Sequence, residues 1–305
     1  MKHILLMMMA ALLIVGCGQS YEEQQRLSRL ERKRLAREDS AALKIAVLPT
    51  LDCLPLWIAK ESGLFERLGA DVRLKQFTAQ MDCDTALAGG SVEGAVTDLV
   101  RMERMKQQGT DVDYLTATNA YWLLVTNRTA RVRELKNLED KMVAMTRYSV
   151  TDLMADVARD SAKLKPEQTF KVQVNDVHVR MKMLQNNEMD ALIVTEPQAT
   201  EARMGRHPVL LDSRKLDLQM GVIAVNKKKT AGKERQKQLD VLRKGYNLVC
   251  DSINTVGIAH YRQYIEKYCD VRGKVVDSIP KNLKFSHMKA PRQQDVERAQ
   301  QWPKR

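Results

Sequence analysis

The chain is 305 residues long, enough for one large domain or two modest ones around a sizeable core, which excludes a peptide hormone or a disulfide knot. Its 44% apolar and 29% charged residues give an ordinary globular balance that fits neither a collagen, a coiled coil nor a wholly disordered chain. Fifty Lys and Arg against 38 Asp and Glu leave a net charge of +12, which suits nucleic acid or an anionic membrane surface only if that charge is gathered in one place.

The first element in chain order is a targeting segment. Lys2 and His3 are followed by an apolar run from Ile4 to Val15 and then by Gly16 and Cys17, the pattern of a secretory signal. The run is shorter than the ~20 residues that span a bilayer comfortably. Ile14-Val15-Gly16-Cys17 resembles the bacterial lipobox, in which the cysteine thiol is acylated by diacylglycerol and the chain is cut just before it. That resemblance makes 1–16 a lipoprotein signal peptide and Cys17 the lipid attachment. Only Lys2 is charged in the part removed, so the mature charge is +11.

Residues 17–42 read as a polar tether. Arg26, Arg29, Arg32, Lys33, Arg34 and Arg37 stand among Glu22, Glu23, Glu31, Glu38 and Asp39, and Leu27, Leu30 and Leu35 are too few to bury a helix face. Further basic charge lies at Lys227 to Lys229 and in the tail 291–305. Neither carries aromatic interleaving, zinc-finger spacing or a helix-turn-helix, so no nucleic-acid partner is expected.

The body then alternates strands and helices. Leu43 to Leu48 predicts a strand stopped by Pro49, and Leu54 to Leu68 a helix ending at Gly69. Asp71 to Phe77 predicts a second strand and the stretch around Asp84 to Ala88 a helix, Val92 to Val96 is a short apolar stretch leading to Thr97-Asp98, and Leu99 to Gln108 is a charged amphipathic helix. Tyr114 to Ala117 and Tyr121 to Thr126 are strand candidates. A second unit of the same kind follows: a strand ending at Met145, a helix Asp152 to Ala162 capped by Asp152 or Thr151, a strand Phe170 to Val174, a helix His178 to Gln185 and a strand Ala191 to Val194. Pro197 opens the next helix, Val209 to Leu211 and Gly221 to Val225 are strands, and Lys233 to Ser252 and Ile258 to Tyr268 are packed helices. This alternation predicts an α/β fold with ligands at the strand C-termini.

Three segments carry a family resemblance. Pro55-Leu56-Trp57-Ile58-Ala59-Lys60-Glu61-Ser62-Gly63-Leu64-Phe65 resembles the opening helix and glycine turn of bacterial solute-binding proteins of the type II periplasmic fold, in the branch of thiamine-precursor and alkanesulfonate binders. Ala86 to Asp98 and Asn187 to Pro197 resemble two further stretches of that branch, in the same order. Where the family has Gly, this chain has Asn186-Asn187, and Asn tolerates the left-handed turn.

The resemblance implies a two-lobe fold that closes on its ligand about a hinge. Lobe 1 would comprise 43–122, lobe 2 would comprise 123–220, and 221–290 would return to lobe 1 with the C-terminal helices before the basic tail. It implies an exported, lipid-anchored binding protein, monomeric, that delivers a small solute to an ABC permease. Cys53, Cys83, Cys250 and Cys269 are an even count in an exported chain. Three pairings are open, and the lobes favour Cys53 with Cys83 and Cys250 with Cys269. No Cys-x-x-Cys occurs and His3, His178, His207, His260 and His287 are scattered, so no metal and no cofactor are expected.

By the strand-end rule the ligand-binding candidates are Thr50, Asp52, Trp57, Thr78, Gln80, Asp82, Thr97, Asp98, Tyr148, Ser149, Thr151 and Glu196. With Asp84, their carboxylates suggest a negative cleft in a positive body, hence a cationic or amine-bearing solute such as a thiamine-type pyrimidine, with Trp57, Trp122 or Tyr148 to stack a flat ring. Asp84 is also the clearest helix-cap candidate. A small anion such as an alkanesulfonate or nitrate would instead need basic or helix-terminal donors, of which Arg101 and Arg147 are available. A third reading is a structural lipoprotein that keeps the fold without a ligand. Enzymes of this fold are cytosolic, and the chain carries no nucleophile elbow or His-Glu-x-x-His helix, so an enzyme is not expected.

Overall fold

A computed structural model describes residues 21–302, with side chains from Ser28 onward, and the chain divides after Ala42 into two units. The signal segment with Cys17 and the last three residues of the basic tail lie outside the described residues. In the first unit, helix α1 (Tyr21–Ala41) leaves Leu30 and Leu35 exposed, and Arg34 pairs with Glu31 and Glu38 one turn away on either side. Among the described residues no helix is long and apolar enough to cross a membrane.

The second unit holds two five-stranded sheets built on one plan. Strands β1 (Leu43–Val47), β2 (Val72–Gln76), β3 (Gly94–Asp98) and β4 (Val112–Ala117) join the late strand β10 (Gly221–Asn226) in the order β2-β1-β3-β10-β4. Strands β5 (Leu123–Thr126), β6 (Lys141–Met145), β7 (Thr169–Gln173), β8 (Ala191–Val194) and β9 (Val209–Asp212) form the other in the order β7-β6-β8-β5-β9. In each, four strands run the same way and one, β10 in the first sheet and β5 in the second, runs antiparallel between its two neighbours. Strands covered on both faces need continuous apolar runs, and β3, β8 and β10 are buried at every position.

The helices follow the strands they cover. In the first lobe α2 (Leu54–Glu61) starts with Pro55 in its first turn and gives way at Gly63, φ +66°, to α3 (Leu64–Arg67), while α4 (Gln80–Gly89) and α5 (Leu99–Gln107) flank β3. The second lobe has α6 (Val150–Ser161), α7 (Val177–Gln185) and α8 (Gln198–Met204). The C-terminal part adds α9 (Lys227–Thr230), α10 (Lys233–Val256), α11 (Arg262–Cys269), α12 (Gly273–Ser278) and α13 (Gln293–Gln301).

The chain crosses between the sheets at 118–122 and again at 213–220. The first crossing touches Gly221 at the start of β10, where a Cβ would collide with Thr118 and Ala120, so the close approach requires glycine. One apolar cluster is continuous through both lobes and includes Leu99, Val100 and Met102 of α5, Val150, Leu153 and Met154 of α6, and Ala299 of α13. A second cluster, with Leu54, Leu56, Trp57, Phe65 and Tyr246, lies behind α2.

Four expectations are corrected. Helix α6 begins at Val150, capped by Ser149, whose hydroxyl accepts from the Thr151 amide at 3.1 Å; Asp152 lies inside the first turn. Asp84 is in mid-helix rather than at a cap, because α4 begins at Gln80. The basic tail contains helix α13. All four cysteines are buried free thiols: Cys53 and Cys83 belong to different clusters, and Cys250 hydrogen-bonds with Tyr246 instead of joining Cys269. Burial pushes Cys83 and Cys250 up to about 12, and Cys53 and Cys269 well above their ordinary value, so each packs as a small neutral hydrophobe. The substitution of Asn for Gly behaves as expected, with Asn187 at φ +62°.

Candidate functional site

The strand ends of the two lobes face each other and meet directly. From β1 the Pro49 carbonyl accepts from Gln198 Nε2 at 2.9 Å, and the Leu51 amide donates to the Glu196 carbonyl at 2.8 Å. From β3 Asp98 Oδ1 accepts from the Val150 amide at 3.2 Å, and Arg101 donates to the Arg147 carbonyl at 3.4 Å. Beyond β2 the Thr78 carbonyl accepts from the Val177 amide at 3.3 Å, beside a bridge between Ala79 and Asp176. The lobes are shut, and between Leu51, Asp52, Tyr121, Glu196 and Leu283 a cavity of only about 10 Å³ is left.

The acids expected to make a negative cleft are answered within the chain. Asp52 accepts from Thr50 Oγ1 at 2.7 Å and from Thr118 Oγ1 at 2.9 Å, and burial raises its carboxyl above the ordinary value. Glu196 is 2% exposed and accepts from Tyr121, from Arg203 at 2.5 Å, and from the amide and hydroxyl of Thr200 at 3.0 and 2.6 Å. The Glu196-Pro197 bond is cis. Asp84 pairs with Arg101. Asp82 and Thr78 are exposed and Gln80 is partly so. The free negative charge predicted for the cleft is therefore largely absent.

A different feature marks the floor. Asp98 caps α5, accepting from the Arg101 amide at 3.1 Å with the same Oδ1 that meets lobe 2, while its Oδ2 is buried without a partner. Thr97 Oγ1, Asp84 Oδ1 and Arg101 Nε are also buried and unpartnered, so four polar atoms gather unsatisfied around the end of β3. Burial drives the Asp98 carboxyl up to about 7 despite the opposing pull of Arg101, and raises Asp84 as well.

The remaining candidates separate clearly. Ser149 and Thr151 are buried and bond each other and Thr146, completing the turn before α6 rather than pointing free donors outward. Tyr148 is 43% exposed at the rim. Trp57 does not reach the cleft: it is fully buried and stacks on Tyr268, ring centroids 5.0 Å apart and 12° from parallel. Trp122 is 5% exposed, within the shared core.

Sequence reasoning missed Thr118 and Tyr121, which clasp Asp52 and Glu196 from the first crossing, and Arg180, a buried guanidinium that donates to Val174, Ile193 and Thr146 and is pushed down to about 10 by burial. It also missed Arg104, whose signal was its place one turn beyond Arg101 on α5.

Solved structures share this architecture. A protein from Bordetella bronchiseptica RB50 superposes with a TM-score of 0.72 at 15% identity, covering 86% of this chain and 89% of the other. The alkanesulfonate-binding protein SsuA from Xanthomonas axonopodis pv. citri, bound to MOPS, gives 0.71 at 16% identity, covering 86% and 91%. The periplasmic nitrate-binding protein NrtA from Synechocystis PCC 6803 gives 0.67 at 15%, covering 77% and 68%. The fold is thus the two-lobe α/β fold of periplasmic binding proteins. No curated protein sequence matches the chain. The model of the NMT1-like family matches residues 36–216, more than half the length. The chain, with its paired sheets and its strand-end floor, therefore belongs to the NMT1-like family.

Proposed function

We propose that the protein is the extracytoplasmic solute-binding component of an ABC-type import system, lipid-anchored through Cys17, working as a monomer without catalysis, and handing a small nitrogen-containing heterocycle to an inner-membrane permease. Membership of the NMT1-like family and structural neighbours named for binding alkanesulfonate and nitrate support the transport role. The observation that carries the ligand class is the unsatisfied floor: Asp98 Oδ2 and Asp84 Oδ1 can accept, Thr97 Oγ1 can accept or donate, and Arg101 Nε is a spare donor. A ring bearing N–H donors and one acceptor, as an aminopyrimidine does, answers that set.

Capture follows from the two crossings. Rotation about 118–122 and 213–220 parts the lobes, solute meets the end of β3, and contacts from the 146–151 turn of lobe 2 favour closure by their differential free energy. Two other readings have observations of their own. The spare Arg101 donor and the neighbours' ligands favour a small anion such as an alkanesulfonate or nitrate. The direct lobe contacts and the 10 Å³ residual cavity favour a ligand-free structural lipoprotein.

The test is a thermal-shift screen of the chain from Ser20 onward against pyrimidines, thiamine, flavins, polyamines, sulfonates and nitrate, since any ligand of the native state raises the melting temperature. A shift with an amine heterocycle that is lost in Thr97→Val is the expected result. A shift with sulfonates alone selects the anion reading, and no shift at all selects the structural one.

A further inference from the structure

Beside the strand-end floor, a groove between α4 and α5 opens at the lobe boundary into a pocket of about 330 Å³, within the size range of small-molecule sites. Lobe 1 lines it with Asp84, Arg101, Arg104 and Met105, and lobe 2 closes one side with Arg147 and Tyr148. Its charges do not cancel. Arg101 is engaged by Asp84, but Arg104 and Arg147 have no carboxylate partner among the described residues.

Arg104 is held in place without being neutralised. Its guanidinium lies 3.5 Å from the centroid of the Tyr148 ring. Tyr148 itself is in the left-handed region at φ +57°, fixed there by its amide, which donates to Asp152 Oδ2 at 2.8 Å. Stacking uses the face of a guanidinium and leaves its edge N–H groups for an acceptor in the plane. At the pocket wall, Arg101 Nε and Asp84 Oδ1 are buried and unpartnered.

We propose that this pocket binds a phosphate monoester, its dianionic head held between Arg104 and Arg147 and its organic part lying toward Met105. Two unanswered guanidinium charges match a head group that carries close to two negative charges at neutral pH, better than they match a monoanion. The head would contact both lobes, so occupancy favours the shut arrangement. The pocket shares Asp84 and Arg101 with the β3 floor but not Thr97 or Asp98, and the phosphate assignment does not depend on the solute-import reading.

Titration calorimetry of the full chain at low salt tests it, with phenyl phosphate, inorganic phosphate and methanesulfonate as probes. Phenyl phosphate is expected to bind tightest and methanesulfonate weakest, with affinity falling as salt rises. The double variant R104Q/R147Q should weaken phenyl phosphate at least tenfold, and R104K/R147K should recover part of that loss. Both variants should melt as the parent does without ligand, since Arg104 is only partly buried and Arg147 is exposed. Thr97→Val should leave phosphate affinity unchanged while it impairs the floor. Methanesulfonate binding as tightly as phenyl phosphate, no effect of R104Q/R147Q, no binding of any probe, or loss of phosphate binding in Thr97→Val would each overturn the assignment.

Discussion

Asp98 is the residue on which the two lobes and the solvent pH meet. Its carboxyl titrates near 7 in the folded protein against 3.8 for an unburied Asp, so between those values the folded chain holds a proton that the unfolded chain has lost. Stability from this group therefore rises as pH falls from about 7 toward 4, with a slope of at most ~1.4 kcal/mol per pH unit. Asp98→Asn cannot ionise and should flatten the urea-unfolding profile over that window relative to the parent. Equal slopes in the two proteins would remove Asp98 as the cause. The positions of Asp52, Asp98 and Glu196 at strand ends were legible in the sequence because strand, turn and helix are local patterns. Their state was not, since the groups that answer them, Thr118 for Asp52 and Tyr121 for Glu196, lie 66 and 75 residues away. Asp84 looked like a cap for the same reason: its partner Arg101 is 17 residues further on.

Helix α13 shows what element-level patterns leave out. Read as a basic tail, it carries only Val296 and Ala299, with Trp302 just past its end, as an apolar stripe, too thin to announce a packed helix. Tertiary contacts decide it. Gln300 donates to Glu103 of α5 at 2.9 Å, Trp302 Nε1 donates to Asp156 of α6 at 3.1 Å, and Arg292 at its head holds Asp217 in the second crossing at 2.6 Å. The helix thus straps both lobes and the crossing together, with Ala299 fully buried beneath it. Ala299→Leu overpacks that seam and should cost about 1–3 kcal/mol, a melting-temperature drop of several degrees by calorimetry. An unchanged melting temperature would show that α13 does not pack tightly there. The repeated strand-helix units were legible because their apolar periods are strong. The helix start at Val150 was not, because Ser149, Thr151 and Asp152 are all good caps and only the folded turn selects among them.

At the scale of the whole molecule the two lobes were expected to be separate bodies on a hinge, and the structure joins them through one apolar cluster. Lobes that share a core unfold together, so far-UV circular dichroism and tryptophan fluorescence should report one coincident thermal transition, although Trp57 lies in the first lobe and Trp122 at the crossing. Two resolved transitions would show that the cluster does not couple them. The same seam sets the temperature at which the protein can admit anything. Parting Leu99, Val100 and Met102 from Val150, Leu153 and Met154 wets hydrocarbon, and that process carries a positive heat capacity. The grip of one lobe on the other then slackens toward the cold, where water accepts apolar surface most readily.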